Sequence, residues 1–412
     1  MDMLRLASPT LIVVAAAFLC AAASPGSTPP RSVDTAAASN EFGFDLLNAL
    51  QKTQPGKNVV LSPVSAALDL SIALNGASGQ TADEMRKALA LPKTDLDALN
   101  AANAELIKAT LAPSDGVTLH IADSMWADSR RAAFRAAFVE QAKRWYDAQV
   151  ADVDFSDAGT PARINRWVDE QTQGKIDKIV DRISPSDVAL LLNALYFKGQ
   201  WTHKFDPAQT KPKPFGQVTG ASKNVPMMAQ HGKFDYFQTA GVQAIRLPYG
   251  KNGELAMDVF LPANESGLAA FETQLTLQNW SAWQSRFAET SGTIELPRFE
   301  LKAQYGLNDA LQALGMRAAF NGRAADFRAM FEPGAAHGAN FFISYVKQAT
   351  YLRVDEEGSE AAAVTSIGLT MMAVHQQPPP FHMVVDHPFF CAIEDRRTRA
   401  LLFVGAIYDP SP

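Results

Sequence analysis

Three histidines near the C-terminus, His375, His382 and His387, are the densest group of side chains that could bind a metal ion. A zinc site needs its imidazole ligands to converge on one point. The segment from Pro378 to Pro380 holds His375 and His382 apart, because consecutive prolines adopt an extended polyproline geometry. We therefore predict that these histidines are surface or structural residues, and that the protein uses no metal and no other cofactor.

The sequence contains none of the common catalytic motifs. It has no Gly-x-Ser-x-Gly elbow, no His-Glu-x-x-His pair, no phosphate-binding Gly-rich loop with Lys and no Cys-x-x-Cys pair. We therefore predict that the chain is not an enzyme. The rival interpretation is an exported enzyme whose chemistry follows an unfamiliar pattern.

Basic residues between positions 130 and 144 are the best candidates for binding a polyanion. They are predicted to lie on one helix, where Arg131 and Arg135 share a face, but Glu140 and Asp147 lie close by. A solvated helix surface is the favoured interpretation, and the formal net charge of -6 also argues against nucleic-acid binding. The basic residues are Arg130, Arg131, Arg135, Lys143 and Arg144.

The N-terminal residues have the layout of a secretory signal peptide. Arg5 precedes an apolar run from Leu11 to Leu19, and the small residues that follow predict cleavage after Ala23. The run is too short to span a bilayer comfortably. We predict a signal peptide over residues 1–23 and a secreted or extracellular protein, periplasmic in a Gram-negative host, with no membrane contact after cleavage. Lipid attachment at Cys20 is the alternative, which the bulky residues before it disfavour.

Once the leader is removed, Cys391 is the one cysteine left, so a hydrophobic core and not an internal disulfide must hold the protein together. The composition agrees, since 47% of the 412 residues are hydrophobic and 19% are charged. Asn264 and Asn279 lie in glycosylation sequons, which matter only in a eukaryotic secretory pathway.

Residues 24–38 are rich in Pro, Ser, Thr and Ala and are predicted to form a flexible tether. Residues 39–412 contain no linker and no repeat and are predicted to form a single domain. Helical patterns dominate the first part of this domain, and Ser62 with Pro63 starts one helix. Thr81 is the predicted N-cap of another helix, with Glu84 at capping-box spacing.

The second half of the chain changes period. Several apolar or alternating runs, bounded by Gly, Pro and Asn, are predicted strands, so the chain is predicted to be an α+β protein. These runs are Val188 to Phe197, Gln243 to Leu247, Glu254 to Leu261, Thr293 to Pro297, Phe342 to Val354 and Leu401 to Ile407.

The segment from Glu356 to Met372 alternates like a strand with one face on a core. Small residues from Ser359 to Ala363 would let such a strand slide between two existing strands, and the prolines that follow would end it. An Ala-rich helix followed by an exposed loop explains the composition equally well. The face suited to burial carries Ser359, Ala361, Ala363, Thr365, Ile367 and Leu369, and the face suited to water carries Glu360, Ala362, Val364, Ser366, Gly368 and Thr370.

Five motifs, in the expected order from about residue 40 to about residue 410, resemble the serpin family of serine protease inhibitors. The resemblance implies an α+β serpin fold with three β-sheets, about nine helices and an exposed reactive centre loop at about residues 356–380. The motifs are Asn58 to Ser65, similar to the family's shutter helix; Leu192 to Trp201, similar to its central strand; Val354 to Ala363, similar to its hinge; Met383 to Ile393, similar to its C-terminal signature; and Leu402 to Gly405, similar to its last core strand.

The resemblance implies a suicide-substrate mechanism. A serine protease attacks the loop, forms a covalent acyl-enzyme and is dragged across the inhibitor as the cleaved loop inserts into the central sheet. The expected partner is therefore a target serine protease, held covalently by a monomeric inhibitor. The family's spacing places the reactive bond at Met372-Ala373, which favours chymotrypsin-like or elastase-like proteases. The stretch up to His387 is longer than in familiar inhibitors, so Met371 and Leu369 are alternatives.

The resemblance also assigns residues to the hinge and to the region where the sheet opens. Ser62, Ser65 and Asn193 correspond to the polar cluster under the sheet, and Trp201 to the aromatic residue where insertion starts. Gln348 stands where many relatives carry a His, so pH dependence through that His is lost. Plain core and cap roles are the alternative for these residues. The implied hinge residues are Glu356, Glu357, Gly358, Ser359, Glu360, Ala361, Ala362, Ala363, Val364 and Thr365.

A non-inhibitory serpin that acts as a carrier or chaperone is the second functional hypothesis. Such members usually have bulky, charged or Pro residues in the hinge. Here Ser359 and Ala361 to Ala363 are small, and Val364 is the one mild exception. The composition of the hinge therefore favours the inhibitory type.

Overall fold

The computed structural model describes residues 33–112, 114–131, 133–263, 267–332, 341–358 and 379–411. These residues contain nine α-helices and fourteen strands, so the α+β prediction is confirmed. The helices are α1 Thr35–Thr53, α2 Pro63–Leu74, α3 Gly79–Ala88, α4 Leu96–Thr110, α5 Ala136–Tyr146, α6 Thr160–Gln171, α7 Gly267–Glu272, α8 Leu277–Gln284 and α9 Asn308–Ala313. The strands are β1 Val59–Leu61, β2 Val117–Asp128, β3 Gln149–Val153, β4 Ala189–Gly199, β5 Lys211–Gly216, β6 Ser222–Gln238, β7 Val242–Tyr249, β8 Leu255–Pro262, β9 Ala288–Pro297, β10 Phe299–Gly306, β11 Ile343–Val354, β12 Phe381–Val384, β13 Phe389–Asp395 and β14 Leu401–Ile407.

The first helix begins earlier than the sequence predicted. Residues 35–38 were assigned to the flexible tether, yet they form the first turn of α1. The Asp34 side chain accepts a hydrogen bond from the Ala37 N–H at 2.9 Å and so caps the helix. Ala36 and Ala38 are buried. The small residues that suggested a tether are therefore small because they pack against the core.

The predicted capping box at Thr81 and Glu84 is also wrong. Helix α3 begins at Gly79, so Thr81 lies inside it. The Thr81 hydroxyl accepts a hydrogen bond from the Asp326 N–H at 3.0 Å, and the Glu84 carboxylate accepts one from the Ala318 N–H at 2.6 Å. Both side chains bind a segment distant in sequence, and that pairing replaces the local cap.

The basic residues from position 130 onward do not share one helix, because α5 begins only at Ala136. Arg130 lies in the turn after β2, where its guanidinium donates to both oxygens of Asp128 at 2.9 and 2.8 Å. Arg131 lies 3.3 Å from the same carboxylate. Both arginines therefore pair with the neighbouring Asp128 instead of lying on a helix surface.

Hydrogen bonding among the described residues joins the strands into two sheets, where three were expected. The larger sheet has nine strands in the order β1-β14-β13-β8-β7-β6-β9-β12, with β5 also paired to β6. The long strand β6 pairs with β5, β9 and β7 at successive positions, and it therefore connects the two expected sheets into one. The smaller sheet has five strands in the order β10-β11-β4-β2-β3.

Two hydrophobic clusters cover the two faces of the five-stranded sheet. The larger cluster includes Leu191 and Leu195 of β4 together with residues of α1, α2 and the nine-stranded sheet. The smaller one includes Leu190 and Leu192 of β4 together with Ile164 and Val168 of α6. Both faces of β4 are thus buried, which explains why its sequence is an almost continuous apolar run. Among the described residues, no helix combines the length and hydropathy needed to cross a bilayer.

Candidate functional site

The centre of the five-stranded sheet is a contact between two parallel strands, β4 and β11, which we call the seam. Gln348 of β11 lies opposite Asn193 of β4, and Thr350 lies opposite Leu195. All other neighbours of these two strands, β2 and β10, run antiparallel to them. A strand that turned back directly after β11 and lay between β4 and β11 would run antiparallel to both.

Four of the predicted site residues meet at the middle of the seam, on the face toward α2. The Gln348 amide accepts from the Ser62 N–H at 2.9 Å and donates to the Ser62 carbonyl at 3.0 Å. It also donates to the Asn193 side-chain oxygen at 2.6 Å, and the Asn193 amide donates to the Ser65 hydroxyl. We call Ser62, Ser65, Asn193 and Gln348 the shutter cluster. It links β4, β11 and α2 across the line along which the sheet would have to open.

The N-terminus of α2 positions the two serines. Ser62 is its N-cap and accepts a hydrogen bond from the Ser65 N–H at 3.3 Å, and Pro63 follows at the first helical position. The capping role and the bond to Gln348 use different atoms of Ser62. The functional and structural interpretations of Ser62 are therefore compatible.

Sequence reasoning missed two buried acids beside the shutter cluster, Asp69 on α2 and Asp123 on β2. The Asp123 carboxylate accepts a hydrogen bond from the Asn193 amide at 2.5 Å. Burial raises the pKa of Asp123 to about 7. Burial and the neighbouring Asp123 also raise the pKa of Asp69. The available signal was one aspartate within the otherwise apolar helix from Pro63 to Leu74.

Trp201 lies apart from the shutter cluster, beyond the end of β4, where the chain leaves β11. Its indole N–H donates to the Asp355 carbonyl at 2.8 Å, and its backbone N–H donates to the Glu357 carbonyl at 3.0 Å. The indole stacks on Tyr249 with ring centroids 4.3 Å apart and planes inclined by 12°. Trp201 thus holds the start of the predicted hinge against the end of the sheet.

Gly358 makes the closest approach between the hinge and β4. It forms an antiparallel bridge with Gln200. Its φ is +134°, and an added Cβ would lie 2.1 Å from the Gly199 carbonyl oxygen and 2.7 Å from the Trp201 nitrogen. Only glycine fits here, because both the backbone conformation and the contact with neighbouring backbone exclude a side chain.

The two hinge glutamates that the structure describes, Glu356 and Glu357, make further contacts. The Glu356 carboxylate accepts from the Thr210 hydroxyl at 2.7 Å and lies 3.5 Å from Arg298. The Glu357 carboxylate lies 2.6 Å from the Lys204 ammonium. Such partly exposed ion pairs contribute little stability each, about 0–1 kcal/mol. The backbone bonds to Trp201 are therefore the firmer restraint on the hinge.

Several predicted features lie outside the described residues: Ser359 to Thr365 of the hinge, Leu369, Met371 and the Met372-Ala373 bond, His375, Asn264, and the leader with Cys20. The two described histidines near the C-terminus have separate partners. His382 lies 3.3 Å from Glu295, and His387 lies 2.8 Å from Asp386 and contacts the Pro262 carbonyl at 2.7 Å.

Comparison with known proteins identifies relatives along almost the whole chain. A family model described as Serpin (serine protease inhibitor) matches residues 37–410. A serpin-like protein of Thermococcus kodakarensis is 35% identical over 90% of this chain and 85% of its own. Leukocyte elastase inhibitor of Xenopus laevis is 32% identical over 90% of this chain and 98% of its own. The crystal structure of tengpin, a thermophilic serpin in its native state, superposes with a TM-score of 0.82 and 28% identity, covering 90% of this chain and 93% of tengpin.

Proposed function

The chain belongs to the serpin family, and from this we propose that it inhibits a serine protease by inserting its own cleaved loop into the seam between β4 and β11. Its relatives include inhibitors of leukocyte elastase at 32–33% identity. The proposal concerns the mechanism, the class of target and the residues that carry them out.

The observation that carries the proposal is the path of the chain after β11. The chain turns at Gly358, which pairs with Gln200 at the end of β4 in antiparallel orientation. If the residues after Gly358 continue this antiparallel ladder, each residue further along the loop pairs with the residue one position earlier than Gln200 in β4. Seven steps place Thr365 opposite Asn193, in the shutter cluster.

The same register determines which side chains face the core. Ala361 would lie opposite Phe197, Ala363 opposite Leu195 and Ile367 opposite Leu191, all residues of the larger hydrophobic cluster. Side chains on alternate positions of paired strands share a face. The face predicted from sequence to be buried is therefore the face that the register turns toward α2 and the larger cluster.

Insertion supplies the energy for trapping the protease. A strand inserted between β4 and β11 replaces one parallel pairing with two antiparallel pairings. The sheet therefore gains the hydrogen bonds of one additional strand pair. About a dozen hydrogen bonds at ~1 kcal/mol each give on the order of 10 kcal/mol before any apolar burial. That is comparable to the whole stability of a typical domain, and it is enough to distort a protease attached to the loop.

The covalent step follows ordinary serine protease chemistry. The serine oxygen of the protease attacks the Met372 carbonyl carbon, the C–O bond of an acyl-enzyme forms, and the C–N bond to Ala373 breaks as its nitrogen takes up a proton. Met372 is unbranched and apolar, so it suits the primary pocket of chymotrypsin-like or elastase-like proteases. Met371 and Leu369 are the alternatives for the same role. The inhibitor is consumed in one turnover.

Export completes the proposal. A signal peptide over residues 1–23 would deliver the protein as a monomer to the secreted, extracellular or periplasmic space, where it would meet a target protease. N-terminal sequencing of protein recovered from the medium or the periplasm tests this, and Ser24 is the expected first residue. An unprocessed N-terminus would contradict export by this route.

The proposed inhibition is tested by mixing the purified protein with chymotrypsin or neutrophil-type elastase and running a denaturing gel. We expect an SDS-resistant complex and, by mass spectrometry, a cut after Met372. Ser359→Arg should convert the inhibitor into a substrate, because the side chain would block entry of the strand. Ser285→Arg places the same side chain on an exposed helix end and is the matched control, with inhibition unchanged.

Cleavage of the wild-type protein without any complex would contradict the trap and favour a non-inhibitory carrier or chaperone. Inhibition that survives Ser359→Arg would contradict loop insertion at the hinge.

A further inference from the structure

Two buried carboxylic acids lie on α2 and β2, elements that pack against each other at the shutter cluster. Asp69 on α2 is 1% exposed and Asp123 on β2 is 5% exposed. Asp123 is opposite Asn193 in the β2–β4 ladder and accepts the hydrogen bond of its amide. Both oxygens of Asp69 are buried without a hydrogen-bond partner among the described residues. The function proposed above does not use either acid.

The surroundings of Asp69 and Asp123 do not stabilise two negative charges. An ionised carboxylate without a hydrogen bond is costly to bury, and two neighbouring carboxylates cannot both ionise in a dry site. Within the described part of the chain, neither acid forms an ion pair, and both oxygens of Asp69 have no hydrogen-bond partner. Burial accordingly raises the pKa of both groups, and Asp123 adds to the effect on Asp69.

Tyr146 of α5 is the other titratable group that faces this cluster, and it stays neutral because burial raises its pKa to about 12. Helix α2 packs against α1, α3, α5, β2, β4 and β14. The other charged side chains on these elements fall into three groups. Glu84 and Asp128 are bonded to other groups, and Arg86, His120 and Lys198 are partly buried, with one Arg86 nitrogen buried without a hydrogen-bond partner among the described residues. The exposed ones are Glu41, Asp45, Lys52, Asp83, Lys87, Glu140, Lys143 and Arg144.

We propose that Asp69 and Asp123 hold a proton between them beneath the closed seam and release it when the seam opens, so that the seam opens more readily as the pH rises. The closed form keeps the proton because both acids are dry. An open seam admits water, and the acids then ionise at their ordinary values near 3.9.

The sign follows from proton linkage. At pH values between the ordinary Asp pKa and the raised pKa of the pair, which is about 7 for Asp123, the closed form binds more protons than the open form. The stability of the closed form relative to the open form therefore falls as the pH rises through this range. The mechanical connection is direct. Asp123 holds the Asn193 amide, and Asn193 in turn accepts the bond from Gln348 across the seam.

The consequence for inhibition rests on the proposed function, because the seam matters for inhibition only if the loop inserts there. The proton site itself does not depend on it. Both measurements below use the isolated protein without any protease, so they can fail or succeed independently of the inhibition assay.

The proton is detected by infrared difference spectroscopy of the full protein at about pH 6, below the raised pKa and above that of an ordinary aspartate. We expect a protonated-carboxyl C=O band in the wild type that is absent from the double variant Asp69→Asn/Asp123→Asn. Each single variant, Asp69→Asn or Asp123→Asn, should shift or weaken the band. Identical spectra of the wild type and the double variant would overturn the shared proton.

Opening is measured by hydrogen exchange of the β4 and β11 amides, corrected for the intrinsic pH dependence of exchange. Between pH 5.5 and 7.5 we expect protection in the wild type to fall by at least about tenfold, since one linked proton gives up to tenfold per pH unit. The double variant Asp69→Asn/Asp123→Asn should show less than about a twofold change, because neither buried acid is left to titrate.

Glu272→Gln is the matched control. Glu272 is another buried acid whose pKa burial raises to about 7, but its partner is Tyr408, away from the seam. This variant should keep the wild-type pH response of β4 and β11. Protection that is independent of pH in the wild type, or a pH response that the double variant Asp69→Asn/Asp123→Asn retains, would overturn the proposal.

Discussion

Replacing Gln348 with alanine removes the side chain that joins the two strands of the seam to α2. Gln348 is fully buried and makes three hydrogen bonds, two with the Ser62 backbone and one with the Asn193 side chain. The Ser62 carbonyl keeps a second partner, the Ala66 N–H at 3.1 Å. The Ser62 N–H and the Asn193 side-chain oxygen lose the bond that Gln348 supplies.

Each buried polar group that loses its partner costs about 1–3 kcal/mol, so two such groups predict a loss of about 2–6 kcal/mol in the free energy of unfolding. Urea titration followed by circular dichroism measures this loss. Gln304→Ala on the neighbouring strand β10 is the control, because Gln304 is exposed and its side chain makes one bond, to the Ile179 carbonyl. A Gln348→Ala protein within about 0.5 kcal/mol of the wild type would refute the view that this side chain holds the seam closed.

Three further substitutions test other parts of the structure. Gly358→Ala should lower the free energy of unfolding by about 1–3 kcal/mol or more, because its Cβ would overlap the backbone of β4 at a positive φ; Gly241→Ala, with open space around it, should be neutral in the same urea titration. Trp201→Phe should cost about 0.5–1.5 kcal/mol, because the Asp355 carbonyl loses its indole donor but keeps the Gly358 N–H at 3.2 Å, and equal stability would contradict the indole bond. The folded protein holds the Glu272 proton more tightly than the unfolded chain does, so Glu272 lowers stability as the pH rises from the ordinary Glu pKa through about 7. Glu272→Gln should remove this part of the pH dependence, and an unchanged pH profile of the melting temperature would contradict the raised pKa.

The sequence predicted best where a pattern has one physical meaning. The continuous apolar run of β4 indicates a strand buried on both faces, and Ser62-Pro63 indicates the start of a helix. The shutter residues could be named because their motifs resemble those of a family. Their contacts, above all the bonds that Gln348 makes across the seam, came only from the structure.

The errors share a cause, which is tertiary contact overriding local pattern. Thr81 and Glu84 have capping-box spacing, but both bind the backbone near residues 317–326. Residues 35–38 have the composition of a linker, but Asp34 caps them into a helix that packs on the core.

Asp69 and Asp123 escaped sequence reasoning for a different reason. They are 54 positions apart, and no motif or spacing relates them. Their significance depends on both being dry and near one another, which the fold alone determines. The proximity of the two acids is therefore the part of the site that only the three-dimensional structure shows.

A crystal structure of the protein after cleavage of its loop by chymotrypsin tests loop insertion most directly. We predict that the five-stranded sheet gains a sixth strand, running from Ser359 between β4 and β11 with Thr365 opposite Asn193. A cleaved protein in which Gln348 still lies opposite Asn193 and β4 still pairs with β11 would contradict insertion at the seam.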